Sequence, residues 1–326
     1  MQENNLPILK FTPIFKSVIW GGTRIAQFKN MPSQGDHVGE SWELSPMKGN
    51  ESVVSEGPFE GRTLNQLMAE RGSEIMGERL YARFGQHFPL LIKFIDSTDD
   101  LSIQVHPDDA LAARRHDSLG KTEMWYSVMP AEGAYLYAGF KSRITPDEFR
   151  AKVADNTIVD VLGKYYPVQG DMFFLPAGRV HSIGRGNFVL EIQEASDITY
   201  RIYDYDRRDA QGNPRQLHIE ESVDAINYDD TEMQVSNFAP EANVETVMEK
   251  CDFFTTTLIE VKGEVSLDLK SRDSFSVIIS TRGNAVLTDN EGRVTELRQG
   301  ETVLVPSTIS AVTIKAEDAE IVTTYI

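Results

Sequence analysis

Four side chains in this sequence have the types and the spacing to hold a metal ion. In LSIQVHPDDALAARRHDSLGKTEMWY, residues 101–126, Gln104 and His106 stand two apart, and Glu123 follows Lys121 by two. Side chains two apart on a strand point to one face, so Gln104 and His106 project together if LSIQVH is extended. Glu123 opens the next strand-like run, EMWYSVM. His181 ends GDMFFLPAGRVH, in which Pro176 and Gly178 mark a turn. One amide, two imidazoles and one carboxylate suit a divalent ion. Zinc takes nitrogen and oxygen ligands of this kind, and a catalytic zinc keeps one position open for water or substrate. A thiolate site is excluded, because Cys251 is the only cysteine and lies far along the chain. A histidine in a strand is ordinarily a packed or solvated residue, and His37, His87, His116 and His218 are read that way. The patterned surroundings of His106 and His181 set them apart.

The elements that must position these groups read mainly as strands. Runs at 87–96, 101–106, 123–129, 134–140, 171–176, 187–195 and 197–205 are rich in β-branched and aromatic residues and bounded by Gly, Pro and Asp. From about residue 252 the pattern is nearly all strand. A few helices interrupt it. TLNQLMAERGSEIMG, from Thr63, carries a helical stripe in Leu64, Leu67 and Met68. HPDDALAARRHD sets Pro107 and two aspartates at a helix start, which suits the dipole. TPDEFRAKVAD reads as a capping box, with Thr145 as N-cap, Pro146 at N1 and Glu148 at N3. A fourth helix is expected over 219–228. The acidic stretch 227–247 reads as a connection between two β units. An internal echo supports two such units: Gly170, Pro176, Gly178 and His181 recur as Gly300, Pro306, Thr308 and Ala311, without the histidine.

Bulk properties bound the function. With 326 residues the chain exceeds what one hydrophobic core ordinarily serves. A net charge of −18 argues against nucleic acid as a partner, since phosphate backbones demand a basic face. No run approaches the roughly 18 apolar residues of a membrane helix. The first residues, MQENNLPILKFTP, have neither a basic nor an apolar stretch, so no signal peptide is expected. The lone cysteine points to a reducing, cytoplasmic setting. The sequence does not disclose the oligomeric state.

Longer motifs carry a resemblance. GDMFFLPAGRVHSI is similar to the second motif of the cupins, small double-sheet β-barrels of jelly-roll type. It departs from the general pattern at Arg185, where an Asn is expected. A closer likeness runs through seven ordered blocks: PIFKSVIWGG (13–22), GESWELS (39–45), LLIKFID (90–96), LSIQVHPDD (101–109), KTEMWY (121–126), PAGRVHSI (176–183) and EIQEASDITYRIYDYDR (191–207). Together they resemble the type I mannose-6-phosphate isomerase family, in its shorter bacterial branch. The resemblance implies a mainly β fold with two cupin-type jelly-roll β-barrel units and a few inserted α-helices. Residues 1–235 would form the catalytic unit and 236–326 a metal-free one.

It also implies roles. Gln104, His106, Glu123 and His181 match the ligands of one zinc ion per chain. Arg201 matches an arginine over the reacting end of the substrate, Lys121 a lysine on the rim, and Ser102 and Lys93 positions lining the substrate pocket. Glu191 and Asp197 match acidic positions near the reacting carbons. Each has a plainer alternative: Lys121 and Ser102 as solvated residues, Arg201 as an ion-pair partner of Asp204 or Asp206, and the three tryptophans as packing. The implied activity is the interconversion of mannose 6-phosphate and fructose 6-phosphate through a cis-enediol. Such a sugar-phosphate substrate needs a local basic patch in an acidic protein. The proton carrier stays open among Glu191, Asp197, a water and a histidine. Two other readings are a sugar-binding or regulatory cupin and an iron-dependent cupin oxygenase. Arg201 and Lys121 beside a complete ligand set favour the enzyme over the binder, and the amide ligand disfavours the oxygenase.

Overall fold

Strands of the N-terminal half pair because their apolar residues can be covered on both faces. Leu90–Asp96 and Phe188–Glu194 are buried at every residue, as expected of strands at the centre of a layered sheet. The computed structural model describes residues 5–208, 212–231, 233 and 235–326. Three antiparallel sheets form. The seven-stranded sheet runs Ser236–Asn237, Asp171–Leu175, Glu123–Ser127, Phe188–Glu194, Leu90–Asp96, Val38–Leu44 and Ile14–Gly22. The five-stranded sheet runs Tyr200–Tyr203, Ile103–Val105, His181–Ile183, Leu136–Phe140 and Leu162–Tyr165. Trp20, Ile95, Trp125, Phe173 and Val189 of the first sheet pack in one cluster with Leu136, Ala138 and Ile183 of the second. The two sheets therefore form the layers of one barrel, as the double-sheet reading requires.

The nine-stranded sheet holds the C-terminal half, built on the long hairpin of Thr255–Asp268 and Ala311–Tyr325. The internal echo is visible here. Gly170 and Gly300 both take positive φ ahead of the strands Asp171–Leu175 and Thr302–Val305. The expected helices form at Leu64–Met76, Asp109–His116, Pro146–Ala154 and Ile219–Ala225. Thr145 and Glu148 make the anticipated reciprocal cap, and Thr63 makes a second one with Gln66. The helix at 109 is capped by Asp108, whose side chain accepts from the Leu111 N–H. The acidic stretch 227–247 includes residues 232 and 234, which lie outside the described residues. No helix among the described residues is long and apolar enough to cross a membrane.

The two halves share strands and core. Leu9–Thr12 pairs with Thr302–Val305 on one side and Val53–Val54 on the other, so N-terminal residues complete the C-terminal sheet. Ser236–Asn237 returns to pair with Asp171–Leu175. One hydrophobic cluster takes in Leu9, Phe94, Phe188, Phe275, Leu304 and Val322. At this junction Lys29 is buried and donates to Glu43 Oε1 and Oε2 at 2.8 and 2.9 Å, and to the Gly300 carbonyl. Ser41 Oγ donates to the same carboxylate at 2.5 Å. Gly300 sits at φ +78°, and a Cβ there would meet Lys29 Cγ at 2.7 Å.

A buried charge stripped of its partner is costly, whereas removing both partners of a pair can be nearly neutral. Lys29→Met is expected to lower unfolding free energy by about 3 kcal/mol in urea titration. Lys29→Met combined with Glu43→Met is expected to lose less than the single variant. A double variant as weak as the sum of its parts would remove the pairing argument.

Candidate active site and metal centre

The strand register gathers the sequence-selected residues. In the five-stranded sheet Gln104 stands opposite His181 on one side and Arg201 on the other. Directly opposed residues share a face, so Arg201, Gln104 and His181 form one row. In the seven-stranded sheet Glu191 stands opposite Lys93 and Trp125, and Glu123 stands opposite Gln193. Glu123 and Trp125 share a face, so these side chains form a second layer meeting the first. The cluster is built between sheets, with imidazoles from one and a carboxylate from the other.

His106, Glu123 and His181 offer ligand atoms that all lie within 4.8 Å of one another, and all three residues are buried. His181 Nε2 is 3.3 Å from Glu123 Oε1, and His106 Nε2 is 3.6 Å from Glu123 Oε2. Backbone carbonyls fix both tautomers. His106 Nδ1–H donates to the Ile198 carbonyl and His181 Nδ1–H to the Arg179 carbonyl, each at 2.8 Å. Both Nε2 atoms therefore face the cluster with a free lone pair, the arrangement typical of metal-ligating imidazoles. Gln104 Nε2 is 3.3 Å from His181 Nε2, and a half-turn of the amide presents Oε1 in the same place.

The donor set fits a divalent cation. His106 Nε2 and Glu123 Oε1 are buried without a hydrogen-bond partner. Groups left in this state cost stability unless something else satisfies them. Burial drives the imidazoles towards their neutral forms, His181 to about 4 and His106 well below the usual histidine range. Burial also raises Glu123, against the pull of Lys121. Neutral imidazoles are the forms that bind a metal, and a cation held there would offset the burial that opposes ionisation of Glu123.

A polar pocket of about 150 Å³ lies beside this cluster, reached through Gln104 and Lys121 and lined also by Trp20, Lys93, Ser102, Glu191 and Arg201. Larger grooves lie elsewhere, one of about 660 Å³ along Val286, Leu297 and Lys315, but no metal-ligating cluster of this kind lies there among the described residues. Lys121 is buried, with Nζ 3.1 Å from Glu123 Oε2, and Ser102 is buried 3.5 Å from Gln104 Oε1. Neither is a solvated surface residue. Lys93 Nζ lies 3.0 Å from Glu191 Oε2, and the Trp125 indole N–H donates to Glu191 Oε1 at 2.9 Å. Burial alone would raise Glu191, but Lys93 and Lys121 more than offset it and hold the carboxyl below its usual range. Arg201 makes no ion pair among the described residues. Its Nη1 donates to the Gln216 carbonyl at 3.0 Å and its Nε is buried without a partner.

Asp197 is not brought to the pocket. Its side chain is exposed in the loop after Phe188–Glu194, and it is the Ile198 carbonyl beside it that turns inward to His106. Three residues escaped the sequence reading. Glu40 lines the pocket and accepts from the Trp42 indole at 2.5 Å. Gln193, buried opposite Glu123, donates to the Glu194 and Ser196 carbonyls at 2.8 and 2.7 Å, steadying the loop that orients His106. Arg215 lines the pocket from a distant loop. Alternation along Phe188–Glu194 puts Gln193 on the face of Glu191 and was a readable signal. No spacing links Arg215 to Arg201.

A curled antiparallel double sheet with convergent polar side chains between its layers defines a cupin. Residues 243–326 match the family model "Mannose-6-phosphate isomerase, cupin domain", and residues 8–128 match "Phosphomannose isomerase type I, catalytic domain". The chain is 33% identical to the mannose-6-phosphate isomerase of Streptococcus mutans, over 90% of each chain. It is 34% identical to mannose-6-phosphate isomerase ManA of Bacillus subtilis, over 91% of this chain and 92% of that one. The crystal structure of the mannose 6-phosphate isomerase from Bacillus subtilis superposes with a TM-score of 0.85 at 29% identity, covering 98% of this chain and all of that one. The chain belongs to the type I mannose-6-phosphate isomerases and is an enzyme of that family. The resemblance and the mainly β, cupin-type fold read from the sequence are both borne out.

A buried carboxyl ties the Lys121 segment to the barrel. Glu194 Oε2 accepts from the Thr122 N–H at 2.7 Å, and Glu194 N–H donates to the Thr122 carbonyl at 3.1 Å. Burial pushes Glu194 up to about 8, and Asp109 beside it adds to the rise. The folded state thus keeps this proton above the ordinary value of 4.5; the stability it brings is full below 4.5 and is lost as pH rises through about 8. Glu194→Gln is expected to flatten the fall in melting temperature between pH 4.5 and about 8, measured against the wild type by calorimetry. Parallel curves for the two proteins would exclude this proton.

Proposed function

We propose that the chain is a zinc-dependent aldose–ketose isomerase that interconverts mannose 6-phosphate and fructose 6-phosphate through a cis-enediol. The reading includes one zinc ion per chain and a cytoplasmic setting in which the Cys251 thiol stays reduced. The observation that carries it is the His106–Glu123–His181 cluster beside a pocket lined by Gln104, Lys93, Lys121 and Arg201. The family and the names of its relatives support the substrate.

The reaction moves one proton from C2 to C1 of the sugar, and a hydroxyl proton moves from O2 to O1, so nothing is consumed. A hydrogen on carbon beside a carbonyl is weakly acidic, and stabilising the oxyanion that develops lowers the barrier most. Held by His106, Glu123, His181 and Gln104, zinc supplies a Lewis acid for that negative charge. Arg201 adds a fixed positive charge from the same row of the sheet. Glu191 is the carboxylate that carries the proton, since it lines the pocket while Asp197 is exposed. In the free protein Lys93 keeps Glu191 weakly basic, and a substrate phosphate that draws Lys93 away raises that basicity. Ser102, Lys93 and Lys121 hold the phosphate by charge-assisted hydrogen bonds. Trp20 and Trp125 line the pocket, and their apolar rings lower its local polarity, which strengthens each of these electrostatic effects.

Chelator treatment is expected to abolish turnover of mannose 6-phosphate in a coupled assay, and added zinc to restore it. A folded, metal-loaded protein without turnover would point instead to a sugar-binding cupin. Lys121→Ala is expected to raise KM for mannose 6-phosphate by at least about tenfold. Unchanged kinetics would take Lys121 out of the phosphate contacts.

A further inference from the structure

We infer that Arg215 is a substrate-contacting residue that recognises the phosphate of the sugar, in the pocket that Ser102 also lines. The inference rests on the isomerase reading above and adds a specificity-determining residue to it.

Position comes first. Arg215 lines the same pocket as Ser102, Lys121 and Arg201, although it comes from a loop well beyond the strand Tyr200–Tyr203. Nε and Nη2 of Arg215 fork onto Asp204, the Nε contact being 2.7 Å. Asp204 itself directly follows Tyr203, which pairs with Ile103. The fork holds Arg215 at the pocket that Ser102 also lines, and among the described residues its Nη1 has no hydrogen-bond partner.

Charge comes second. Asp204 is buried and accepts from Arg207 as well, at 2.5 Å, so one carboxylate serves two guanidiniums. Arg201 brings a third guanidinium with no acid of its own. The one further ion pair of these three guanidiniums among the described residues is that of Arg207 with the exposed Asp99, at 3.8 Å. The result is an excess of positive charge gathered in a chain whose net charge is −18. The crowding is felt: burial, followed by the neighbouring Arg215, presses Arg201 below the usual arginine range. Cations of like sign are held together at a cost unless an anion comes between them, and a planar fork with free N–H donors matches a phosphate.

Clamping Asp204 would by itself be a structural role, so the test separates contact from support. The probe is sorbitol 6-phosphate, which lacks a carbonyl and cannot be isomerised, titrated calorimetrically into zinc-loaded full-length protein. Arg215→Gln is expected to weaken its binding by at least about tenfold, as for one charge-assisted hydrogen bond. Arg215→Lys keeps the charge but not the fork onto Asp204, and is expected to recover a clear part of the loss. Unchanged affinity in Arg215→Gln overturns the inference, as does a Lys variant that binds no better than the Gln variant. If Arg215→Gln fails to fold, Arg215→Ala takes its place with the same readout: a loss of at least about tenfold supports phosphate contact, and unchanged affinity overturns it. Wild-type turnover of mannose 6-phosphate is measured in parallel. With turnover present, either negative result removes Arg215 alone; with turnover absent, the isomerase reading falls first.

Discussion

Glu123 is an ionisable group with no exposed surface, facing two imidazoles that come from a different sheet. Nothing local to any one strand holds that arrangement. It requires the two layers of the barrel to stay at a fixed separation and a fixed register, because a slip of one residue would turn Gln104 and His181 to the opposite face. The packed cluster of Trp125, Phe173 and Ile95 against Leu136 and Ile183 sets the separation. The carbonyls of Ile198 and Arg179 then set the ring orientations. Strong packing close to the site and loops fixed by buried amides such as Gln193 serve one end, which is to keep three otherwise unfavourable polar atoms converging.

The electrostatics follow from the same burial. An acidic surface and a cationic pocket coexist because the pocket's cations have partners inside the protein: Lys121 has Glu123, Lys93 has Glu191, and Arg215 shares Asp204 with Arg207. Each match keeps a cation charged and in place without an external anion. Screening by salt is weak at such depth, so these pairs act at close range while the −18 background is felt only outside. Arg201 is the exception, held by a carbonyl and by the backbone bonds it makes with His218.

Much of the site was legible because strands have a period of two and turns have marked residues. Gln104, His106 and the sheet partners of Glu191 follow from alternation, and His181 from the turn at Pro176 and Gly178. What could not be read depends on pairing between distant segments. Asp197 sits in the right motif, yet its loop turns the next carbonyl inward and the carboxylate outward. Arg215 reaches the pocket only through a fork onto Asp204, a contact with no trace in spacing. The short strands Leu9–Thr12 and Val53–Val54 gave no strong periodic signal; they pair with each other, and the first pairs also with Thr302–Val305, nearly three hundred residues away. His218 was read as incidental, and it is the edge partner of the Arg201 backbone.

The pairing of Leu9–Thr12 with Thr302–Val305 has a consequence for how the protein is made. A ribosome releases the first of these strands almost a whole chain length before the second exists. Early-emerging segments tend to fold as they leave the ribosome, and contacts of such long sequence separation form last. The barrel that carries the ligands can therefore begin to close during synthesis. The seam that joins it to the C-terminal sheet is sealed only after Thr302–Val305 has been made, and until then Leu9 and Phe11 lack the strand that covers them.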